Sequence, residues 1–402
     1  MATTLKIRPS GLVRASGGPR YAAALAVDAL GTGLLRPFLL LYGVTVLGLS
    51  APATGLAMTC GIVAALACTP GVGHWLDRGA RSTVVAASML VRVAGVALLL
   101  ASPTGNVWTF AAAALFLGVG NQAWPAAHAA VVATLAEGRE RDAALAGGRA
   151  LRNAGMGAGA LLALAFLTGG AAALQALAAV TGLAYLVAAA LTWSVRLRAS
   201  EADAPEGDRP EGPAPRMRAL LAANVVYTFC LNVPEIALPL ILVTYLDASP
   251  AWAAAVFVAN TVLVVTLQVP LTVLLSRYSR RSVLAWSGVV LAASYLGFLA
   301  AASLGHGWAA PAVAAVSVVC TIGEILYAGS ATALVTALAP ARAMGRALAR
   351  FQFSTGLGLA VSPAVITALA AAGPLALWGG LAAATLVSAS AVAAERDRGA
   401  RA

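Results

Sequence analysis

Long apolar runs, separated by short polar segments, dominate the chain from end to end. A helix needs about 20 apolar residues to cross the hydrocarbon layer of a membrane. By that ruler we predict twelve membrane-spanning helices. Their approximate ranges are 21–47, 54–76, 83–101, 108–136, 143–168, 174–195, 219–246, 252–276, 283–304, 309–339, 347–371 and 375–394.

One polar segment interrupts this pattern. Residues 196–218 have no apolar face and are dense in proline, glycine and acidic residues, which is typical of a flexible linker. The linker divides the chain into an N-terminal six-helix bundle, residues 1–195, and a C-terminal six-helix bundle, residues 219–402. The pattern therefore predicts an all-α membrane protein of two bundles.

The two predicted bundles carry a weak internal repeat at an offset of 203 positions. Ten residues recur at this offset, but four of them are alanine, which carries little weight in an alanine-rich chain. The more informative matches pair Gly120 with Gly323, Arg139 with Arg342 and Gly155 with Gly358. At the same offset Glu324 stands where the first copy has Asn121. The repeat predicts two pseudo-symmetric copies of one membrane unit.

Composition and charge placement support a membrane protein. The 402 residues are 60% hydrophobic and only 10% charged, which is typical of a polytopic helical membrane protein. The formal charge of +11 comes from basic residues concentrated at the termini and in alternate loops. This positive-inside pattern places both termini in the cytoplasm and argues against a nucleic-acid partner. The first apolar run continues through Leu47 without a convincing cleavage site, so we expect an uncleaved first span.

The sequence offers no chemistry for an enzyme or a metal site. Four cysteines lie in apolar runs without a spaced cluster, and the three histidines form no cluster either. We find no nucleotide-binding glycine loop and no catalytic triad. We therefore expect neither a metal nor a cofactor, and no enzymatic activity.

Polar residues within the apolar runs fall into two tiers of depth. At ~1.5 Å of helical rise per residue, four of them lie about 24–27 Å from the nearest cytoplasmic arginine: Arg36, Asn121, Glu235 and Glu324. A second tier lies about 12–17 Å deep: Asp28, Arg92, Arg149 and Arg152. A charge at the centre of a membrane helix costs about 2.5–3.5 kcal/mol and normally faces a partner or water. We expect Arg36 to face Glu235 or Glu324, and Arg149 and Arg152 either to snorkel or to attract an anionic substrate.

A substrate cavity is predicted near the deeper level. Its candidate lining residues are Arg36, Asn121, Gln122, Trp124, Asn232 and Tyr327. The alternative for the two aromatic residues is ordinary packing, since aromatic side chains at helical spacing often belong to a core.

The loop after the second span resembles a known signature. It reads Gly73-His-Trp-Leu-Asp77-Arg78-Gly-Ala-Arg81, which resembles the G-x-x-x-D-R-x-G-R-[RK] loop of the major facilitator superfamily. The later glycine is displaced to Gly79, and Ser82 replaces the last basic residue. That resemblance implies twelve spans, alternating access, and a conformational gating role for Gly73, Asp77, Arg78 and Arg81. The alternative for the arginines alone is that they follow the positive-inside rule.

A narrower resemblance concerns the tenth and eleventh spans. Residues Thr321, Ile322, Gly323 and Glu324, with the later pairs Ala339-Pro340 and Gly345-Arg346, resemble drug:proton antiporters of that superfamily. The resemblance implies that Glu324 couples transport to protons. Alternatives are a permanent pair with Arg36 or a permanently protonated carboxyl.

Two departures weaken the resemblance to exporters. The fifth span has Gly155 and Gly159 of the antiporter signature, but Ala160 stands where proline is expected. The fourth span also lacks its usual arginine.

Asp28 and Glu235 are the other candidates for proton coupling.

These observations predict a secondary active transporter of the cell membrane that exports drug-like or amphipathic small molecules in exchange for protons. A proton-coupled symporter for uptake of another solute is the alternative, and a non-transporting receptor or scaffold is a more distant one. The proton gradient serves in place of a cofactor, and the resemblance implies a monomer with small-molecule, proton and lipid partners.

Overall fold

The computed structural model describes residues 16–79, 81–166, 169–195, 217–232, 238, 250–301, 303–304 and 306–399. Within these ranges the regular structure is helical, with no strand. The helices are α1 (Gly18–Leu35), α2 (Leu39–Thr45), α3 (Ala51–Asp77), α4 (Arg81–Leu100), α5 (Val107–Leu135), α6 (Gly138–Phe166), α7 (Gly170–Ser194), α8 (Arg218–Leu231), α9 (Pro250–Leu275), α10 (Arg280–Ala301), α11 (His306–Leu338), α12 (Met344–Ala371) and α13 (Gly380–Gly399).

These helices correspond to the twelve predicted spans. A short 3₁₀ turn, Arg36–Phe38, joins α1 to α2, so the two form one span, Gly18–Thr45. Over the described residues, eight spans are long and apolar enough to cross a membrane. The remaining four of the twelve predicted spans correspond to α5, α6, α12 and the 14-residue α8. The all-α, twelve-helix membrane fold predicted from the sequence is confirmed.

Local sequence signals explain where several helices begin and end. Ser50 caps α3 by accepting a hydrogen bond from the amide of Ala53. The Asn106 side chain caps α5 by accepting from the amides of Trp108 and Thr109. Such caps satisfy amides that have no partner inside the helix. Gly79 ends α3 with a φ of 84°, a conformation that side chains disfavour.

The chain forms two compact units. The first comprises Met1–Pro215 and Thr336–Phe353, and the second comprises Arg216–Val335 and Ser354–Ala402. In the first unit, α1 packs on α6 and α7, while α4 packs on α5 and α7. In the second unit, α13 packs on α8 and α10. The division into bundles at 1–195 and 219–402 stays a prediction, as does the linker between them, most of which lies outside the described residues.

Glycines allow close helix contact in the first unit. A Cβ on Gly33 of α1 would collide with the backbone carbonyl of Met156 on α6, and one on Gly159 would collide with the carbonyl of Leu30. Small residues serve the same purpose in membrane helices generally, because they let backbones approach. In contrast, large apolar side chains such as Leu161 and Phe257 point outward, at 66% and 61% exposure, as lipid-facing residues do.

Candidate functional site

A buried ion-pair cluster lies among three helices of the first unit. The carboxylate of Asp28, on α1, contacts Arg92 Nη2 of α4 at 2.6 Å and Arg152 Nη1 of α6 at 3.2 Å. The side chains of Asp28 and Arg92 have no exposed surface, whereas Arg152 retains 14%. One carboxylate therefore serves two guanidinium groups. We call these three residues the ion-pair cluster.

Polar and aromatic neighbours fix the position of Arg92. Its guanidinium lies 4.4 Å from the centre of the Tyr185 ring, within the range of a cation–π contact. Arg92 and Tyr185 both donate hydrogen bonds to the hydroxyl oxygen of Thr32, at 3.4 and 3.2 Å. Thr32 in turn donates to the backbone oxygen of Asp28 at 2.8 Å. Arg92 is thus held on several sides by the first unit.

An aromatic stack continues the cluster on the side of Arg152. The Arg152 guanidinium lies 4.1 Å from the centre of the Trp124 ring, and Trp124 stacks on His128 at 5.1 Å with 5° between the ring planes. The Tyr21 hydroxyl lies 3.2 Å from His128 Nδ1. Trp124 Nε1 is buried and makes no hydrogen bond with the described residues. The stack supports one face of Arg152 and places an unused donor beside it.

Positive charge predominates around Arg152. Arg36, exposed at the end of α1, and Arg92 both lie close enough for their charges to act on Arg152. Among the described residues, the carboxylate of Asp28 thus faces two guanidinium groups, and the charge of Arg36 adds to that of Arg152. This imbalance favours an anion over a cation as an additional ligand of the region.

In the second unit, Glu324 lies midway along the long helix α11. Asn260 Nδ2, from α9, donates at 3.0 Å to Glu324 Oε2 and at 3.0 Å to Thr321 Oγ1. Asn260 thereby binds the carboxyl of Glu324 to the preceding turn of the same helix. Asn260 is not among the residues predicted from the sequence, although it is an amide inside an otherwise apolar run.

Other predicted cavity residues of the second unit are engaged in hydrogen bonds. Tyr327 donates to Asn224 Oδ1 at 2.5 Å, and its hydroxyl lies 3.3 Å from that of Thr228. Asn232 Nδ2 donates to Ser362 Oγ at 2.5 Å. These contacts hold α8 to α11 and α12, and a role in binding substrate stays a prediction for both residues.

The predicted gating loop makes a polar contact within the first unit. Asp77 accepts from the amide of Gly345 at 2.6 Å and from Arg346 Nε at 2.8 Å, so the acid caps the start of α12. Arg81 donates to the hydroxyl of Thr134 and to the backbone oxygen of Ala341.

The two remaining loop residues differ in their surroundings. Gly73, on α3, lies very close to α12. A Cβ at this position would lie 2.7 Å from the Cβ of Ala349 and 3.1 Å from the backbone of Arg346. Arg78, in contrast, is exposed. Gly73 and Asp77 thus join the end of α3 to the beginning of α12. Arg81, the first residue of α4, reaches the turn before α12 through Ala341, and Arg78 has no such bond among the described residues.

The structure places the remaining candidates separately. In the first unit, Gln122 Oε1 accepts a hydrogen bond from Gln352 Nε2 at 2.8 Å, while Asn121 Oδ1 is buried without a hydrogen bond to the described residues. Glu235 lies outside the described residues. Arg36 belongs to the first unit and Glu324 to the second, and their pairing stays a prediction. Tyr21, His128 and Tyr185 were missed, although His128 follows Trp124 at the four-residue helical spacing.

Comparison with solved structures identifies chains of the same fold. The human organic anion transporter MFSD10 (TETRAN) has 14% identity and a TM-score of 0.73, and the match covers 96% of this chain and 100% of that chain. A bacterial homologue of the iron transporter ferroportin in an outward-facing state has 13% identity and a TM-score of 0.75, covering 93% and 97%. A proton:xylose symporter has 14% identity and a TM-score of 0.72, covering 94% of each chain. At these identities the likeness shows the fold alone.

Comparison with curated proteins by sequence gave no match. The family model of the Major Facilitator Superfamily matches residues 21–234 and 220–401, which together span nearly the whole chain. Proteins of this family are transporters rather than enzymes, and they generally need no cofactor. The chain therefore belongs to the Major Facilitator Superfamily and is a secondary transporter.

Proposed function

We propose that this transporter exports amphipathic, drug-like molecules in exchange for protons, and that Glu324 carries the coupling proton. The observation that carries the proposal is the hydrogen bond from Asn260 to a carboxyl inside the membrane-spanning helix α11. An ionisable group at such a place is expensive and is most often functional.

The chemistry of the Asn260 contact suits a group that gains and loses a proton. An amide N–H is a neutral donor, and a carboxyl oxygen accepts from it both when Glu324 is ionised and when the other oxygen is protonated. The hydrogen bond from Asn260 can therefore hold the Glu324 side chain in both protonation states of a transport cycle. Asp28 differs, because protonation would remove the charge that balances Arg92 and Arg152. We assign Asp28 to holding the arginines and Glu324 to coupling.

The direction of transport rests on the resemblance of residues 321–346 to drug:proton antiporters. Symport is the second candidate, and a proton:xylose symporter with the same fold supports it at the level of architecture. The plasma membrane, cytoplasmic termini and a monomeric state are further parts of the proposal, supported by the distribution of basic residues and by the resemblance.

Proton movement in proteoliposomes tests the proposal. Purified protein is reconstituted with a pH-sensitive dye inside, and amphipathic solutes are added on one side. We expect proton flux opposite to solute flux in the wild type and no coupled flux in Glu324→Gln. Glu395→Gln is the matched control, since Glu395 is paired with Arg281 near the end of the chain.

Two results would contradict parts of this proposal. Protons moving in the same direction as the solute would replace export by symport. Coupled flux that persists in Glu324→Gln would remove Glu324 from the coupling role and leave the transport function intact.

A further inference from the structure

We propose that Arg152 binds an acidic group of the transported molecule, so that the substrates are amphipathic organic anions. The inference rests on the proposed transport function and adds the chemical class of its substrate.

The first support is the spare hydrogen-bonding capacity of Arg152. A guanidinium carries five N–H donors. Among the described residues, Arg152 makes a single hydrogen bond, from Nη1 to Asp28 Oδ2. Arg92 in contrast donates hydrogen bonds to Ser88 and Thr32, forms an ion pair with Asp28 and is completely buried. Arg152 therefore keeps donors, and 14% of its side-chain surface, for another ligand.

The second support is the charge balance. The carboxylate of Asp28 lies 2.6 Å from Arg92 and 3.2 Å from Arg152, so it is closer to Arg92. The charge of Arg36 adds to the positive potential at Arg152. A carboxylate, sulfonate or phosphate at Arg152 would relieve this excess. A cation finds no accessible acid in the cluster, because Asp28 has no exposed side-chain surface.

The third support is the surface beside the guanidinium. Trp124 lies under Arg152, 4.1 Å from the guanidinium carbon to the ring centre, and a planar guanidinium can donate two parallel hydrogen bonds to a planar anionic group. Trp124 itself is buried, so the ligand's contact in this region is with the guanidinium of Arg152. The acidic head of an amphipathic ligand matches this arrangement, and its apolar body follows from the proposed function.

Binding of a matched probe series tests the assignment. The probes are 2-naphthoate, its uncharged amide 2-naphthamide, and the cation 2-naphthylmethylammonium, measured by calorimetry on protein in phosphatidylcholine nanodiscs. We expect the wild type to bind 2-naphthoate at least tenfold more tightly than either relative. Arg152→Gln should lose that preference, while Arg152→Lys should keep part of it. Arg139→Gln, at the exposed start of the same helix, should bind like the wild type.

The controls separate this proposal from misfolding and from the coupling role. Arg152→Gln keeps the Asp28–Arg92 pair, and its thermal unfolding is compared with the wild type. Glu324→Gln should keep the preference for 2-naphthoate over its amide, because Arg152 supplies that selectivity and is unchanged in this variant. A wild type that binds the amide or the cation as well as the acid overturns the anion proposal. Unchanged selectivity in a folded Arg152→Gln does so too. Either result leaves proton-coupled transport by Glu324 standing.

Discussion

Replacing Asp28 by asparagine should destabilise the first unit more than any other single change in the ion-pair cluster. Asn is nearly isosteric with Asp, so the substitution removes charge and little volume. Both Arg92 and Arg152 then lose their carboxylate, and Arg92 is left as a fully buried charge without an acid beside it. Breaking a buried ion pair by removing one partner typically costs about 3–5 kcal/mol.

The ranking of related variants follows from the same geometry. Arg92→Gln leaves the Asp28–Arg152 pair, with one charge of each sign, and should cost less than Asp28→Asn. The double variant Asp28→Asn with Arg92→Gln should be less destabilised than the sum of the two single variants, because it removes the buried charge that the first change leaves behind. The control is Glu395→Gln, whose pair with Arg281 is partly exposed and should contribute about 0–1 kcal/mol.

The assay is the free energy of unfolding in mixed detergent micelles, followed by tryptophan fluorescence. We expect Asp28→Asn to be less stable than wild type by several times the effect of Glu395→Gln. If the two variants lost the same small amount of stability, the ion-pair cluster would not be a buried electrostatic unit and the reasoning would fail. If the stability losses of Asp28→Asn and Arg92→Gln simply added in the double variant, the energetic coupling between these two residues would be refuted.

Three further changes have expected outcomes. Asp77→Asn should slow transport severalfold in proteoliposomes by weakening charge-assisted bonds at the start of α12, while Arg78→Gln, an exposed neighbour, should not. Gly33→Ala should sharply lower the yield of folded protein in fluorescence-detected chromatography, because its Cβ meets backbone, whereas Gly55→Ala, in open space, should leave it unchanged. Tyr327→Phe should cost about 1–3 kcal/mol in the micelle unfolding assay by removing a buried hydroxyl donor.

The sequence predicted the depth of the polar residues better than their partners. The helical rise placed Asp28, Arg92 and Arg152 in one tier, and the structure joins all three. The same ruler included Arg149, which has no contact with the cluster among those we describe. Depth follows from counting residues along a helix, but the partner depends on how each helix is rotated about its axis. That rotation is set by packing across several helices, which a single sequence does not display.

The missing arginine of the fourth span shows how far the sequence alone predicts the site. Read alone, its absence weakens the resemblance to exporters, and the sequence indicates no replacement. The structure supplies guanidinium groups to Asp28 from α4 and α6 instead. Trp124 and His128, both on α5, then stack beside Arg152. Twelve spans and the loop at Gly73 follow from local patterns, whereas this cluster is assembled from separated segments.

The close contact between α1 and α6 also restricts how molecules dissolved in the bilayer reach the interior of the first unit. Gly33 and Gly159 bring the two backbones so near that even a methyl group does not fit between them. An acyl chain or a lipophilic solute therefore cannot pass from the bilayer between α1 and α6 at this contact. Lateral access from the membrane to the first unit must use another pair of helices.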